Sequence, residues 1–180
     1  MEKRALVISP IAPYVVKPAH MAEPDDEGWY GQIVEILEEA EDGFYRIRTP
    51  YRYETYVHAT HLCLDEAEAE RWEKADLRRV WAAWADVQVE SGATHPHHIS
   101  LCRGAVVEFV APPEKPQGWA KVRLIGGAEG FVREGFLGPY YENEPSAGEE
   151  ELRNSVVEAA KLYMGVQYRW GGKTPQGIDC

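Results

Sequence analysis

The chain has 180 residues, with 30 Asp and Glu against 19 Lys and Arg and a net charge of −11. At 44% apolar residues it lies outside the disordered regime, and its length accommodates one domain or two small ones. The acidic balance argues against nucleic acid and an anionic membrane surface as partners, since both need clustered Lys and Arg.

The greasiest run, Ala105 to Pro112, is broken by Glu108 and falls far short of the roughly 18–20 residues that span a bilayer. At the amino terminus the apolar run Ala5 to Ile8 stops at Ser9 and Pro10, too short for an export signal. The expectation is a cytoplasmic protein, or an exported one whose leader has been removed. Cys63, Cys102 and Cys180 cannot all pair with one another, so a free thiol is expected.

The chain repeats itself. Gly31-Gln-Ile-Val-Glu-Ile aligns with Gly104-Ala-Val-Val-Glu-Phe, and after a two-residue insertion Gly43-Phe-Tyr-Arg-Ile-Arg aligns with Gly118-Trp-Ala-Lys-Val-Arg. The match continues without a gap, so that Glu54, Tyr56, Val57 and Leu62 fall on Glu129, Phe131, Val132 and Leu137. Each copy reads as short strands with one buried face: Tyr45 and Ile47 alternate with Arg46 and Arg48, and Ala120, Val122 and Leu124 with Lys121 and Arg123. Gly126-Gly127 marks a hairpin turn in the second copy, and Pro50 with its neighbours marks the equivalent turn in the first. Two small β-barrels are expected, from about Ala5 to Leu64 and from about Ala85 to Leu137.

Between the copies, Asp65 opens the segment DEAEAERWEKADLRR, which reads as a solvated connecting helix. Glu68 stands at capping-box spacing, Glu70 precedes Lys74 by four residues, and acids at the start with Arg78 and Arg79 at the end suit the helix dipole. After the second copy, Gly138 to Gly148 reads as a linker. A second helix follows, capped by Ser146 with Glu149, striped by Leu152, Val156, Ala159, Ala160 and Tyr163, and stopped by Gly165. Its stripe calls for a partner surface.

The last segment, Tyr163-Met-Gly-Val-Gln-Tyr-Arg-Trp-Gly-Gly-Lys-Thr-Pro-Gln-Gly-Ile-Asp-Cys180, resembles the opening of the NlpC-type cell-wall cysteine peptidases, a papain-like family. Gly165, Tyr168, Trp170, Gly171, Gly172, Pro175, Gly177, Asp179 and Cys180 fit its signature of a helix, Gly-x-x-Tyr-x-Trp-Gly-Gly, a Pro/Gly loop and Asp-Cys. The two copies look like the bacterial SH3-like domains that precede such catalytic domains, with Gly130-Phe-Val-Arg-Glu-Gly-Phe-Leu137 resembling their closing strand and turn. The resemblance implies a mainly β chain. Two SH3-like barrels (1–64 and 85–139), joined by a helical linker (65–84), lead into the first helix and loop of an α+β papain-like domain (140–180), truncated at the catalytic cysteine.

It also implies a chemistry. Cys180 is the nucleophile, and Asp179 and Tyr168 hold the free amine of an L-Ala at the substrate's end, because a buried ammonium needs a carboxylate and hydroxyl acceptors. The activity implied is that of a γ-D-glutamyl-L-diamino acid endopeptidase acting on murein-derived peptides, with neither cofactor nor metal. A thiol of pKa roughly 8.5 is mostly protonated at neutral pH and needs an imidazole base. None of His20, His58, His61, His95, His97 and His98 matches the family position, so the isolated chain is expected to be inert. Glu23 and Tyr56 of the first barrel are guessed to complete the pocket.

Other features take plainer readings. His95-Pro-His97-His98 reads as a solvated loop, Cys63 and Cys102 as small buried groups, and Trp29, Trp72, Trp81, Trp84 and Trp119 as core or domain-contact residues. The rival to the enzyme is a non-catalytic module, two SH3-like barrels that hold a peptide or wall component, or a pseudoenzyme.

Overall fold

A computed structural model describes residues 3–92, 96–111, 118–140 and 148–180. The first sheet contains β1 (Lys3–Val7), β2 (Ile11–Val15), β3 (Pro24–Trp29), β4 (Ile33–Glu39), β5 (Phe44–Arg48), β6 (Glu54–His58) and β7 (Leu62–Cys63). Helix α1 (Glu66–Glu73) leads to the second sheet: β8 (Leu77–Val80), β9 (Trp84–Gln88), β10 (His97–Cys102), β11 (Val106–Ala111), β12 (Trp119–Arg123), β13 (Glu129–Arg133) and β14 (Leu137–Pro139). Helix α2 (Glu149–Lys161) and the two-stranded β15 (Lys173–Thr174) and β16 (Gly177–Ile178) follow.

The repeat is visible in the topology. The first sheet runs β3-β2-β6-β5-β4-β1-β7 and the second β10-β9-β13-β12-β11-β8-β14, the same order shifted by seven strands and antiparallel throughout. The predicted alternation holds on the central strands, where Ile47, Ala120 and Val122 are fully buried while Arg46, Arg48, Lys121 and Arg123 face water. Those outward residues build the same cross-strand ladder twice, Glu35–Arg48–Glu54–Arg46 and Glu108–Arg123–Glu129–Lys121. Gly126-Gly127 turns the hairpin as expected, with Leu124 N–H donating to the Ala128 carbonyl at 2.8 Å.

β1 explains its own continuous apolar run. Successive side chains of a strand point to opposite faces, so Ala5 and Val7 enter the first core beside Tyr14, Ile47 and Val57 while Leu6 enters the second beside Trp72, Val107 and Val122. The second core therefore reaches across the junction and takes in Tyr30 as well.

The linker departs from expectation. Asp65 caps α1 by accepting from Ala67 N–H at 2.9 Å, but Glu68 does not complete a capping box; its carboxylate binds Arg71 and Gly126 N–H instead. The helix stops at Glu73. Leu77–Val80, expected to lie in the helical linker and before the second copy, is strand β8, the counterpart of β1. Pairing with β11 outweighs the favourable dipole order, and Arg78 and Arg79 sit over the rings of Phe109 and Tyr140 at 4.8 and 5.3 Å. Nor is α1 merely solvated: Ala69 and Trp72 are buried, and the Trp72 indole donates to the Gly31 carbonyl at 3.1 Å and meets Tyr30 edge-on.

Among the other tryptophans Trp119 is buried, whereas Trp81 and Trp84 are exposed rather than core. Helix α2 is capped at Gly148; Ser146 and His95 lie outside the described residues. Its stripe residues Leu152 and Val156 are half-exposed, and the chain turns through Gly165 beyond the helix end. No helix among the described residues is long and apolar enough to cross a membrane.

Candidate functional site

Residues 167–180 form a compact loop held by their own backbone. Arg169 N–H donates to Ile178 O, Ile178 N–H to Gln167 O, and Asp179 N–H to Gly172 O, at 3.0, 3.1 and 2.8 Å. These bonds bring Asp179 back to the start of the loop. One of its oxygens accepts from the Tyr168 hydroxyl at 2.9 Å and from Cys180 N–H at 2.7 Å, and the other accepts from Gly171 N–H at 2.8 Å. The Gly171 and Cys180 amides and the Tyr168 hydroxyl hold this carboxyl below the usual carboxylate range, while the same bond raises the Tyr168 phenol. Tyr168, Asp179 and Cys180, the three residues singled out in the sequence, are thus brought together, and Cys180 is exposed.

The loop docks on β3. Gly171 adopts φ +68, and a Cβ there would stand 2.9 Å from the Asp25 carbonyl carbon, so only glycine permits this approach. Glu27, 3% exposed, accepts from Lys173 N–H at 3.1 Å with one oxygen and faces the Arg169 guanidinium at 3.3 Å with the other. The second contact lies within ion-pair reach without hydrogen-bond geometry, leaving that oxygen without a hydrogen bond. Asp26 pairs with the Lys173 ammonium at 2.8 Å.

Asp25 is different. It accepts from the Thr55 hydroxyl at 2.9 Å and from the Tyr53 hydroxyl at 3.3 Å, and burial raises its pKa above the ordinary carboxylate value. Among the described residues neither Asp25 nor Asp179 has a cation in ion-pair reach, although Asp26 and Glu27 both do. Gly171 thus meets Asp179 through its carboxylate and Asp25 through its backbone, so each of the two segments that join there carries a carboxylate without an ion-pair partner among the described residues.

Among the described residues, neither Glu23 nor Tyr56 is seen to hydrogen-bond or ion-pair with this loop. Glu23 is exposed and uses its backbone carbonyl to bind Val16 N–H, and Tyr56 pairs across to Val15. The groups in contact are Asp25, Asp26, Glu27, Trp29 and Tyr51, with Tyr53 and Thr55 behind Asp25. The repeat itself carried the signal. At the matching positions the second copy has His98, Ile99 and Ser100 for the three acids and Gly126, Ala128 and Gly130 for Tyr51, Tyr53 and Thr55. Two copies of one topology differ at every group that faces the loop.

The histidines have other partners. His20 and His58 pack with Phe44, His58 also binds the Thr60 hydroxyl, His61 binds Ser9, and His98 binds the Glu129 carbonyl. Burial, with His58 nearby, lowers the pKa of His61. All three cysteines are free; Cys102 is fully buried, which pushes its thiol up to about 11, and Cys63 is half-buried.

This architecture matches known structures. The crystal structure of an NlpC/P60 family protein from Bacillus cereus ATCC 10987 superposes with a TM-score of 0.74 at 12% identity, over 98% of this chain and 68% of that one. The chain has an NlpC/P60-like fold. An NlpC/P60 endopeptidase from Photobacterium damselae subsp. piscicida aligns with a TM-score of 0.57 and 15% identity, over 99% of this chain and 40% of that one. By sequence, the chain is 34% identical over 177 residues to dipeptidyl-peptidase 6 of Lysinibacillus sphaericus. That match takes in 98% of this chain, which spans 65% of the relative's length. No family model matches.

Proposed function

We propose that this chain supplies the nucleophile and the amine-binding pocket of a cysteine endopeptidase that cuts γ-D-glutamyl-L-diamino acid bonds in murein peptides with a free amino-terminal L-Ala. The observation that carries the reading is the meeting of Tyr168 and Cys180 at Asp179, a carboxylate that, like Asp25 on the strand docked against Gly171, has no cationic partner among the described residues. An ammonium complements these carboxylates and an acylated amine does not, because acylation removes the positive charge.

The Cys180 thiolate attacks the γ-glutamyl carbonyl; the diamino acid amine leaves with a proton, and water hydrolyses the thioester. The imidazole base is expected from outside these 180 residues, so the chain alone binds without cutting. Each seven-stranded unit is read as an SH3-like barrel, the first lending Asp25 and Tyr53 to the pocket. A preference for small peptides with a free amine suits recycling in the cytoplasm.

Calorimetry with L-Ala-γ-D-Glu-L-Lys and its N-acetyl form tests this. The free amine is expected to bind at least about tenfold tighter, the yield of one charge-assisted hydrogen bond. Equal affinities would refute the amine site, and hydrolysis by the isolated chain that disappears in Cys180→Ala would refute the external base.

A further inference from the structure

Lys173 is the one residue of the loop whose charged end is enclosed by the first sheet. Its ammonium lies 4.5 Å from the centroid of Trp29 and 4.4 Å from that of Tyr51, pairs with Asp26 at 2.8 Å, and donates to the Tyr51 hydroxyl. Tyr51 in turn donates its own hydrogen to Asp26, closing a triangle of lysine, phenol and carboxylate. The cage has a back wall in the other copy. Gly104, at the start of the loop into β11, packs on the Trp29 ring so closely that a Cβ would stand 3.2 Å from two ring atoms. Trp29 therefore touches the second copy and the nucleophile's loop at once.

The cage exists only once. At the positions of Asp26, Trp29 and Tyr51 the second copy has Ile99, Cys102 and Gly126, none of which holds an ammonium. A second copy without docking groups still has a mechanical task if it fixes Trp29.

We propose that Lys173 is a positioning residue for Cys180 and Asp179, and that the second copy acts on the site through the contact of Gly104 with Trp29. The cage grips the lysine, the lysine holds β15 against β3, and the loop's own hydrogen bonds carry that placement to Asp179 and Cys180. Without the grip, the loop that carries Asp179 and Cys180 loosens from β3. The inference rests on the proposed role of this loop, but its first readout needs no substrate.

Amide hydrogen exchange over residues 167–180 is compared in the wild-type chain, Lys173→Met, Lys173→Arg, Trp29→Leu and Gly104→Ala, with thermal melts as the fold control. Lys173→Met and Trp29→Leu are expected to lose about tenfold protection at the residue 173 amide, the scale of a desolvated cation–π contact with its ion pair. Gly104→Ala changes exchange in the same direction. Lys173→Arg, which keeps the charge, restores protection. The preference for the free over the N-acetyl peptide falls in Lys173→Met and returns in Lys173→Arg, a rescue that a space-filling role would not produce. Protection unchanged in Lys173→Met, or arginine behaving like methionine in a folded protein, overturns the positioning role. Normal protection losses with no amine preference in the wild type would instead remove the proposed substrate and leave the clasp standing.

Discussion

Changing Asp25 and Asp179 together to asparagine is expected to abolish the preference for a free amine. Each carboxylate offers one charged acceptor, and a hydrogen bond to a charged group is worth about 1.5–3 kcal/mol, so each single variant should lose roughly 10- to 150-fold in affinity for the free peptide. Affinity for the N-acetyl peptide should stay nearly constant.

The two acids differ in their response to pH. Burial raises the Asp25 pKa, so as pH falls Asp25 takes its proton first, above the usual carboxylate range, and amine binding weakens in that window. Asp179, held low chiefly by the Gly171 and Cys180 amides, stays ionised further into acid. Asp25→Asn should therefore remove the first acid step of the binding profile and leave the second, as a calorimetric pH series would read. The stability linkage has opposite signs: the contribution from Asp25 is greatest in acid and is lost as pH rises through its folded pKa, whereas that from Asp179 is present above its unfolded pKa and is lost as pH falls through its folded one.

Trp72→Ala is the substitution expected to cost most stability. The side chain is 0% exposed, sits in the core that takes in Leu6 and Tyr30 from the first sheet, and hydrogen-bonds Gly31. Removing a buried tryptophan costs about 3–5 kcal/mol through lost burial and the cavity left behind. Because this core joins the sheets, denaturant unfolding should change from one transition to two, with the second sheet melting first. A single transition at the wild-type midpoint would contradict the joint core.

Much of this was legible in the residues. The glycines at 31 and 104 fixed the repeat because each begins the loop into a long central strand, and the strand orders of the two sheets agree with it. The grouping of Tyr168, Asp179 and Cys180 was legible because it lies within one short segment. The docking face was not. Pro24-Asp-Asp-Glu-Gly has the composition of a turn, yet it forms β3 because β2 offers a partner edge. Its contacts join residues 146 positions apart, a distance over which periodicity carries no information. Leu77–Val80 misled for a related reason: local charge order favoured helix, and pairing with β11 decided otherwise.

Cys180 is proposed to face a site that reads a free amine. Labelling the chain with the chloromethyl ketone of L-Ala-γ-D-Glu, in which a thiolate displaces chloride, tests it most directly. Saturable labelling of Cys180 is expected in preference to half-buried Cys63 and buried Cys102, slowed at least about tenfold by N-acetylation of the reagent. Labelling of Cys180 at equal rates by the free and acetylated reagents, or labelling that falls on Cys63 instead, would contradict it.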